Sequence, residues 1–388
     1  MSEQEPGGRA RGTAAPDFDV DALLSDGDTR IVVCCGSGGV GKTTTAAALG
    51  VRAAELGRHA VVITVDPARR LAQSMGLREL DNSPRPVELS ATLGAEGPGS
   101  LHAMMLDMKR TFDEIVEAHA DPERARQILA NPFYQSLSSS FSGTQEYMAM
   151  EKLGQLRQSG DWDLIVVDTP PSRSALDFLD APERLGRFLD SRLIRILGAP
   201  PATGAFKVLG AGVGMVTGVI AKIVGAQVLK DVQSFVSAFD AVFGGFQERA
   251  DRTYRLLQAR GTGFVVVAAP EDDALREAEF FIERLREDRM PLAGIVLNRV
   301  HRTAVRGLPE QTAATAAAEL EIAGEHDLAA AALRLHAERA RVQHREQWLM
   351  GRLAAAHPGV PSAEVPARPE DVHDLAGLAG IGRALGRG

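Results

Sequence analysis

Residues Gly36-Ser37-Gly38-Gly39-Val40-Gly41-Lys42-Thr43 fit the spacing G-x-x-x-x-G-K-[ST] without a mismatch. No other stretch limits the possible folds as sharply, because such a loop works only between a strand and a helix. Ile31-Val32-Val33-Cys34-Cys35 precedes it, an apolar β-branched burst suited to a buried strand. Thr44-Thr45-Ala46-Ala47-Ala48-Leu49 follows and opens an Ala-rich helix ending near Gly57. Glycines turn successive backbone N–H groups toward an anion, and the helix N-terminus adds positive potential. Gly38, Gly39, Val40, Gly41 and Thr44 would frame that cradle. Lys42 would reach the β- and γ-phosphates, and Thr43 would present its hydroxyl to Mg²⁺. The alternative is a glycine-rich turn with no ligand. Motif and flanks together predict a bound nucleoside triphosphate.

The chain has 388 residues, enough for one large or two ordinary domains. Its formal net charge is −8, from 43 basic and 51 acidic residues, which argues against sequence-independent nucleic-acid binding. The only cysteines are Cys34 and Cys35; neighbours in a strand point to opposite faces, so neither a disulfide nor a shared metal is expected there. That usage fits a reducing, cytoplasmic compartment. Residues 1–28 are rich in Gly, Ala, Arg and acids and read as a disordered lead without a signal peptide. Val208 to Leu229 is apolar, but its uncharged part between Lys207 and Lys222 is 14 residues. Crossing a bilayer takes about 20, so no integral membrane segment is expected.

A first βαβ unit spans about Arg30 to Asp66, with its second strand at Ala60–Val65. Glu79 to Ser100 reads as loop, and Leu106–Ala130 and Gln145–Gln158 as helices. Further strands are predicted at Leu164–Val167, Gly263–Ala268 and Leu292–Leu297, with an amphipathic helix at Asp272–Glu287. Residues 172–258 are helical in pattern, Gln311–Arg352 gives one or two exposed helices, and the tail gives a Pro-rich turn and a short helix. Uninterrupted apolar strands alternating with helices imply an α/β fold, a doubly wound and mostly parallel sheet covered on both faces.

Hydrolysis needs a metal-side carboxylate and a group that orients water. Asp168 and Asp66 both fall at C-terminal strand ends, where such sheets place their ligands. Asp168 is the candidate for holding Mg²⁺, directly or through water, and Asp66 for positioning the attacking water. The alternative for each is a cap on the following helix. Gly36 to Thr43, Asp66-Pro67-Ala68 and Asp168-Thr169-Pro170-Pro171 together resemble the ArsA-type ATPases, the arsenite-pump and tail-anchored-protein targeting ATPases. Ala269-Pro270-Glu271, Leu297-Asn298-Arg299 and, more weakly, Glu364-Val365-Pro366 extend the resemblance. It implies a P-loop NTPase domain over residues 29–388 with an inserted α-helical subdomain from segments at about 105–160 and 172–258. It also implies ATP and Mg²⁺ as cofactors, Asp66 as the switch I acid and Asp168 as the switch II acid. Asn298 falls on the residue that hydrogen-bonds adenine, and Pro366 lies in the segment flanking the base.

Three departures stand out. The family's second lysine, which reaches a dimer partner's nucleotide, is Ser37 here. The zinc-clamping Cys-x-x-Cys of the eukaryotic targeting ATPases is missing, as are the spaced cysteines that bind arsenite. The expectation is a dimeric ATPase of the ArsA-like class, as a homodimer or a heterodimer with a paralogue keeping the lysine. The alternative is a weakly hydrolysing, ATP-sensing subunit regulating a catalytic paralogue. Gly210, Gly214 and Gly218, spaced by four in an apolar stretch, suit either a groove for a hydrophobic protein client or ordinary core packing. The arginines from Arg334 to Arg345 read as a solvated helix face.

Overall fold

The computed structural model describes residues 15–66, 70–89, 99–132, 134–135, 144–170, 246–305, 307–324 and 326–386. The Gly210–Gly218 stretch, Pro67, Ala68 and Pro171 lie outside these residues. Eight strands form one sheet: β1 (Ile31–Cys35), β2 (His59–Thr64), β3 (Arg85–Pro86), β4 (Ser100–Met105), β5 (Leu164–Asp168), β6 (Thr262–Ala268), β7 (Leu292–Val300) and β8 (Ser362–Pro366). Their order is β3-β4-β2-β5-β1-β6-β7-β8. Every pairing is parallel except that of the short edge strand β3 with β4. The phosphate-loop strand β1 is therefore central, flanked by β5 and β6.

Eleven helices occur among the described residues: α1 (Val20–Ser25), α2 (Lys42–Glu55), α3 (Arg70–Ser74), α4 (Met108–His119), α5 (Pro122–Leu129), α6 (Thr144–Ser159), α7 (Phe246–Gln258), α8 (Asp272–Glu287), α9 (Glu310–Ala323), α10 (Asp327–Ala356) and α11 (Leu375–Leu385). They cover both faces of the sheet. One core joins Ile31, Val33 and Ile63 to Phe112 and Ile115 of α4, Leu153 of α6, Phe281 of α8 and Leu349 of α10. The other joins Val32, Val62 and Val166 to the alanines of α2, Leu24 of α1 and Leu378 of α11. Cys34 belongs to the second core and Cys35 to the first, so the two thiols do point to opposite faces.

Several local expectations need correction. Residues 15–28, within the lead expected to be disordered, are folded onto the domain and carry α1. Phe18, Val20 and Leu24 are buried, Asp19 caps α1 by accepting from the Ala22 N–H at 2.8 Å, and Asp17 pairs with Ser362. Arg52 holds Asp21 through two hydrogen bonds, of 2.8 and 2.6 Å. The stretch read as loop before residue 100 contains the two-residue strand β3, and β4, which opens at Ser100, has none of the β-branched or aromatic residues enriched in strands. The helix expected over Leu106–Ala130 is two helices, broken where Asp121 caps α5 and Pro122 takes its first position. The tail turn contains β8, an edge strand that buries alternate residues Ala363 and Val365.

Among the described residues no helix is long and apolar enough to cross a membrane. The arginines of α10 are exposed and tie neighbouring helices: Arg334 pairs with Glu321, Arg341 with Glu310 at 2.9 Å, and Arg345 with Asp272 at 3.0 Å.

Candidate active site

The parallel strands bring their C-terminal ends, and the residues that follow them, to one edge of the sheet. There the loop after β1 closes on α2. Gly36 and Gly41 take φ values of +149° and +95°. A Cβ at Gly36 would lie 2.1 Å from the Val267 carbonyl oxygen, and one at Gly41 2.2 Å from the Asn298 amide nitrogen. Only glycine fits at either place. Gly41 is also the N-cap of α2 and contributes no side-chain hydrogen bond. The first-turn N–H groups of α2 therefore have no side-chain cap competing with an incoming anion. Gly38 and Gly39 are exposed, Val40 is buried, and Thr43 and Thr44 are half-buried.

The Lys42 side chain folds back over the loop, and its amine donates to the Ser37 carbonyl at 2.7 Å. Burial holds its pKa below the ordinary lysine value, while the nearby acids Asp168 and Asp66 act in the opposite direction. Thr43 and Thr64 each donate a hydroxyl to the same Asp168 oxygen, Oδ2, at 2.8 Å. Asp168 has no solvent exposure, and burial pushes its carboxyl up to about 6 against the pull of these hydroxyls and of Lys42. Its second oxygen, Oδ1, is buried and has no hydrogen-bond partner among the described residues. An orphaned carboxylate oxygen beside a threonine hydroxyl is a hard-oxygen donor set, which fits Mg²⁺.

Asp66 lies two residues beyond β2, half-buried, with its N–H on the Thr64 hydroxyl at 3.2 Å. It is close enough for its charge to act on both Lys42 and Asp168. Lys42, Thr43, Asp66 and Asp168, nominated separately along 127 positions of sequence (42 to 168), thus converge. Asn298 joins them from β7. The register of β7 against β8 slips between Leu297 and Val300, and Arg299 takes a left-handed φ of +61°. Such a bulge re-aims a side chain. The Asn298 amide donates to the Val40 carbonyl at 2.8 Å, so it braces the phosphate loop from the far strand. Pro366, half-buried, ends β8 opposite Val300 at the same edge.

Two features escaped sequence reasoning. Thr64 was unremarkable within the strand expected over Ala60–Val65, although a lone polar residue after Ala60-Val61-Val62-Ile63 was the available signal. The brace from Asn298 to Val40 spans 258 positions and had no local signal.

A family model described as anion-transporting ATPase matches residues 29–315. The chain is 27% identical over 282 residues to an ATPase GET3 of Malassezia globosa, covering 72% of this chain and 75% of that protein. It is 26% identical over 296 residues to an ATPase ARSA2 of Chlamydomonas reinhardtii, covering 74% and 72% respectively. An ATPase ASNA1 homolog of Cryptosporidium parvum is 27% identical over 265 residues, covering 68% and 63%. With the phosphate loop seated on a central parallel strand and the family match running through most of the sheet, the chain belongs to the anion-transporting, ArsA-type ATPases and is itself an ATPase.

Proposed function

We propose that this ATPase hydrolyses Mg²⁺–ATP at the Gly36–Thr43 loop and works as a dimer that uses the cycle to hold and release a hydrophobic protein client. The observation that carries the reading is the meeting of Thr43, Asp168 and the orphaned Oδ1 beside the loop. Backbone N–H groups of Gly38 to Thr44 cradle the phosphates, and Lys42 exchanges the Ser37 carbonyl for phosphate oxygen. Thr43 and Asp168 would hold Mg²⁺, which when bound would supply positive charge against that building on the phosphates. Asp66 orients a water and takes its proton as the water oxygen attacks the γ-phosphorus. The bond from the γ-phosphorus to the β,γ-bridging oxygen breaks, giving ADP and phosphate. Asn298 reads the adenine edge, and Pro366 flanks the base. Two buried, free thiols support a reducing, cytoplasmic setting.

A second reading has its own support. Ser37 supplies no cation where the family's lysine reaches across a dimer, which favours an ATP-sensing subunit paired with a lysine-bearing paralogue.

Calorimetry and steady-state turnover test the primary reading. Wild-type protein takes up Mg²⁺–ATP, Lys42→Met does not, and Asp66→Asn binds but turns over at least about a hundredfold more slowly. Normal binding by Lys42→Met, or normal turnover by Asp66→Asn, overturns these assignments.

A further inference from the structure

We infer that Thr64 is a positioning residue of this site, one hydroxyl that fixes the Asp168 carboxylate and ties it to the backbone of Asp66. Thr64 ends β2 directly opposite Asp168 in the parallel register with β5, which sets the two side chains beside each other. It is buried, with 1% of its surface exposed. Its Oγ1 donates to Asp168 Oδ2 at 2.8 Å and accepts from the Asp66 N–H at 3.2 Å. A hydroxyl has one proton and two lone pairs, so both bonds coexist and their directions are forced. The chain of donors runs from the Asp66 amide to the Thr64 hydroxyl to the Asp168 carboxylate.

Asp168 accepts from only two side chains among the described residues, Thr43 and Thr64. Thr43 belongs to the ligand side, where its oxygen would be a metal ligand. Thr64 has no such second task. It is the donor that keeps Oδ2 in place while Oδ1 stays open, and it couples any movement of the Asp66 segment to the carboxylate. A buried hydroxyl at the end of Ala60-Val61-Val62-Ile63 is not required for packing, since valine has nearly the same shape.

The inference rests on the reading of Asp168 as the metal-side carboxylate, and the experiment separates the two. Wild type, Thr64→Val, Thr64→Ser and Asp168→Asn are compared by thermal melting, by Mg²⁺ titration of a bound fluorescent non-hydrolysable ATP analogue, and by kcat and KM. Thr64→Val is expected to fold, melting a few degrees below wild type for the lost hydroxyl, to need about tenfold to a hundredfold more Mg²⁺, and to lose kcat to a similar extent while KM for ATP stays within about threefold. Thr64→Ser should recover most of both. Should Thr64→Val fail to fold, Thr64→Ala carries the same expectation. Mg²⁺ demand unchanged in Thr64→Val while Asp168→Asn loses its Mg²⁺ response overturns the role of Thr64 alone. No recovery by Thr64→Ser also overturns it. Wild type that binds the analogue equally with and without Mg²⁺ overturns both readings.

Discussion

At Asp168 burial and charge oppose each other. Its carboxyl is pushed up to about 6 from an ordinary 3.8, mainly by burial. The folded protein therefore binds a proton there more readily than the unfolded chain does. Folding is favoured below about pH 4 and penalised as pH rises through 6, by on the order of 3 kcal/mol at neutral pH. Without metal or nucleotide, Asp168→Asn should melt above wild type at pH 7.5, and the gap should narrow by pH 4.5. Adding Mg²⁺–ATP should reverse the order at pH 7.5, because only wild type gains the ligand's stabilisation. Asn298 offers a second test. Its amide braces the Val40 carbonyl, so Asn298→Ala should weaken ATP and GTP alike by about fivefold to tenfold through the slackened loop. The proposed adenine contact adds a further loss for ATP alone, read as a fall in the ATP-to-GTP affinity ratio. The residue types and spacing of Gly36–Thr43 announced the loop, and strand-end acids announced Asp66 and Asp168. The Asn298–Val40 and Thr64–Asp168 bonds were not legible, because they join residues 258 and 104 positions apart in sequence.

Among the elements, α2 and the lead helix α1 show how sequence pattern and packing divide the work. Helix α2 buries Ala46, Ala47, Ala48, Val51, Ala53 and Ala54, so small side chains let it sit close between the sheet and α11. Ala47→Leu should overpack that layer and cost about 1–3 kcal/mol, measured as a lower urea midpoint with an unchanged slope. The connection around α1 depends on Arg58. Its buried guanidinium donates to the carbonyls of Leu24, Asp26, Thr29 and Asp163 at 2.7 to 2.9 Å. Arg58→Met keeps the stem but strands those acceptors. A loss of about 3 kcal/mol is expected, with faster proteolytic nicking before β1. Residues 15–28 looked featureless because Gly, Ala and charged residues dominate them. What orders them is a few apolar anchors, Phe18, Val20 and Leu24, meeting a surface made by other elements. Strand β4 was hidden for a similar reason: its place between β2 and β3 overrides weak propensity. The long helix α10 was legible from composition. Its antiparallel neighbour α9 packs chiefly on it, so α9 should show faster amide exchange than α2.

At the scale of the whole molecule, the proposed dimer turns on Ser37. The lone chain should hydrolyse ATP slowly, and Ser37→Lys should raise its turnover by about tenfold or more if two copies face each other. Mass measured with and without Mg²⁺–ATP checks the assembly, and an unchanged rate in a dimer of two Ser37→Lys chains counts against action in trans. By itself the sequence determined the phosphate loop, the parallel α/β architecture and the two acids. Those depend on local backbone needs and on periodic burial, which are written within a few residues of one another. Only tertiary structure decided that Thr64, Asp66 and Asp168 share one hydrogen-bonded chain and that a bulge in β7 turns Asn298 onto the loop. It also decided that the N-terminal approach is part of the core. Strand order and register set those distances, and neither is encoded in any single segment.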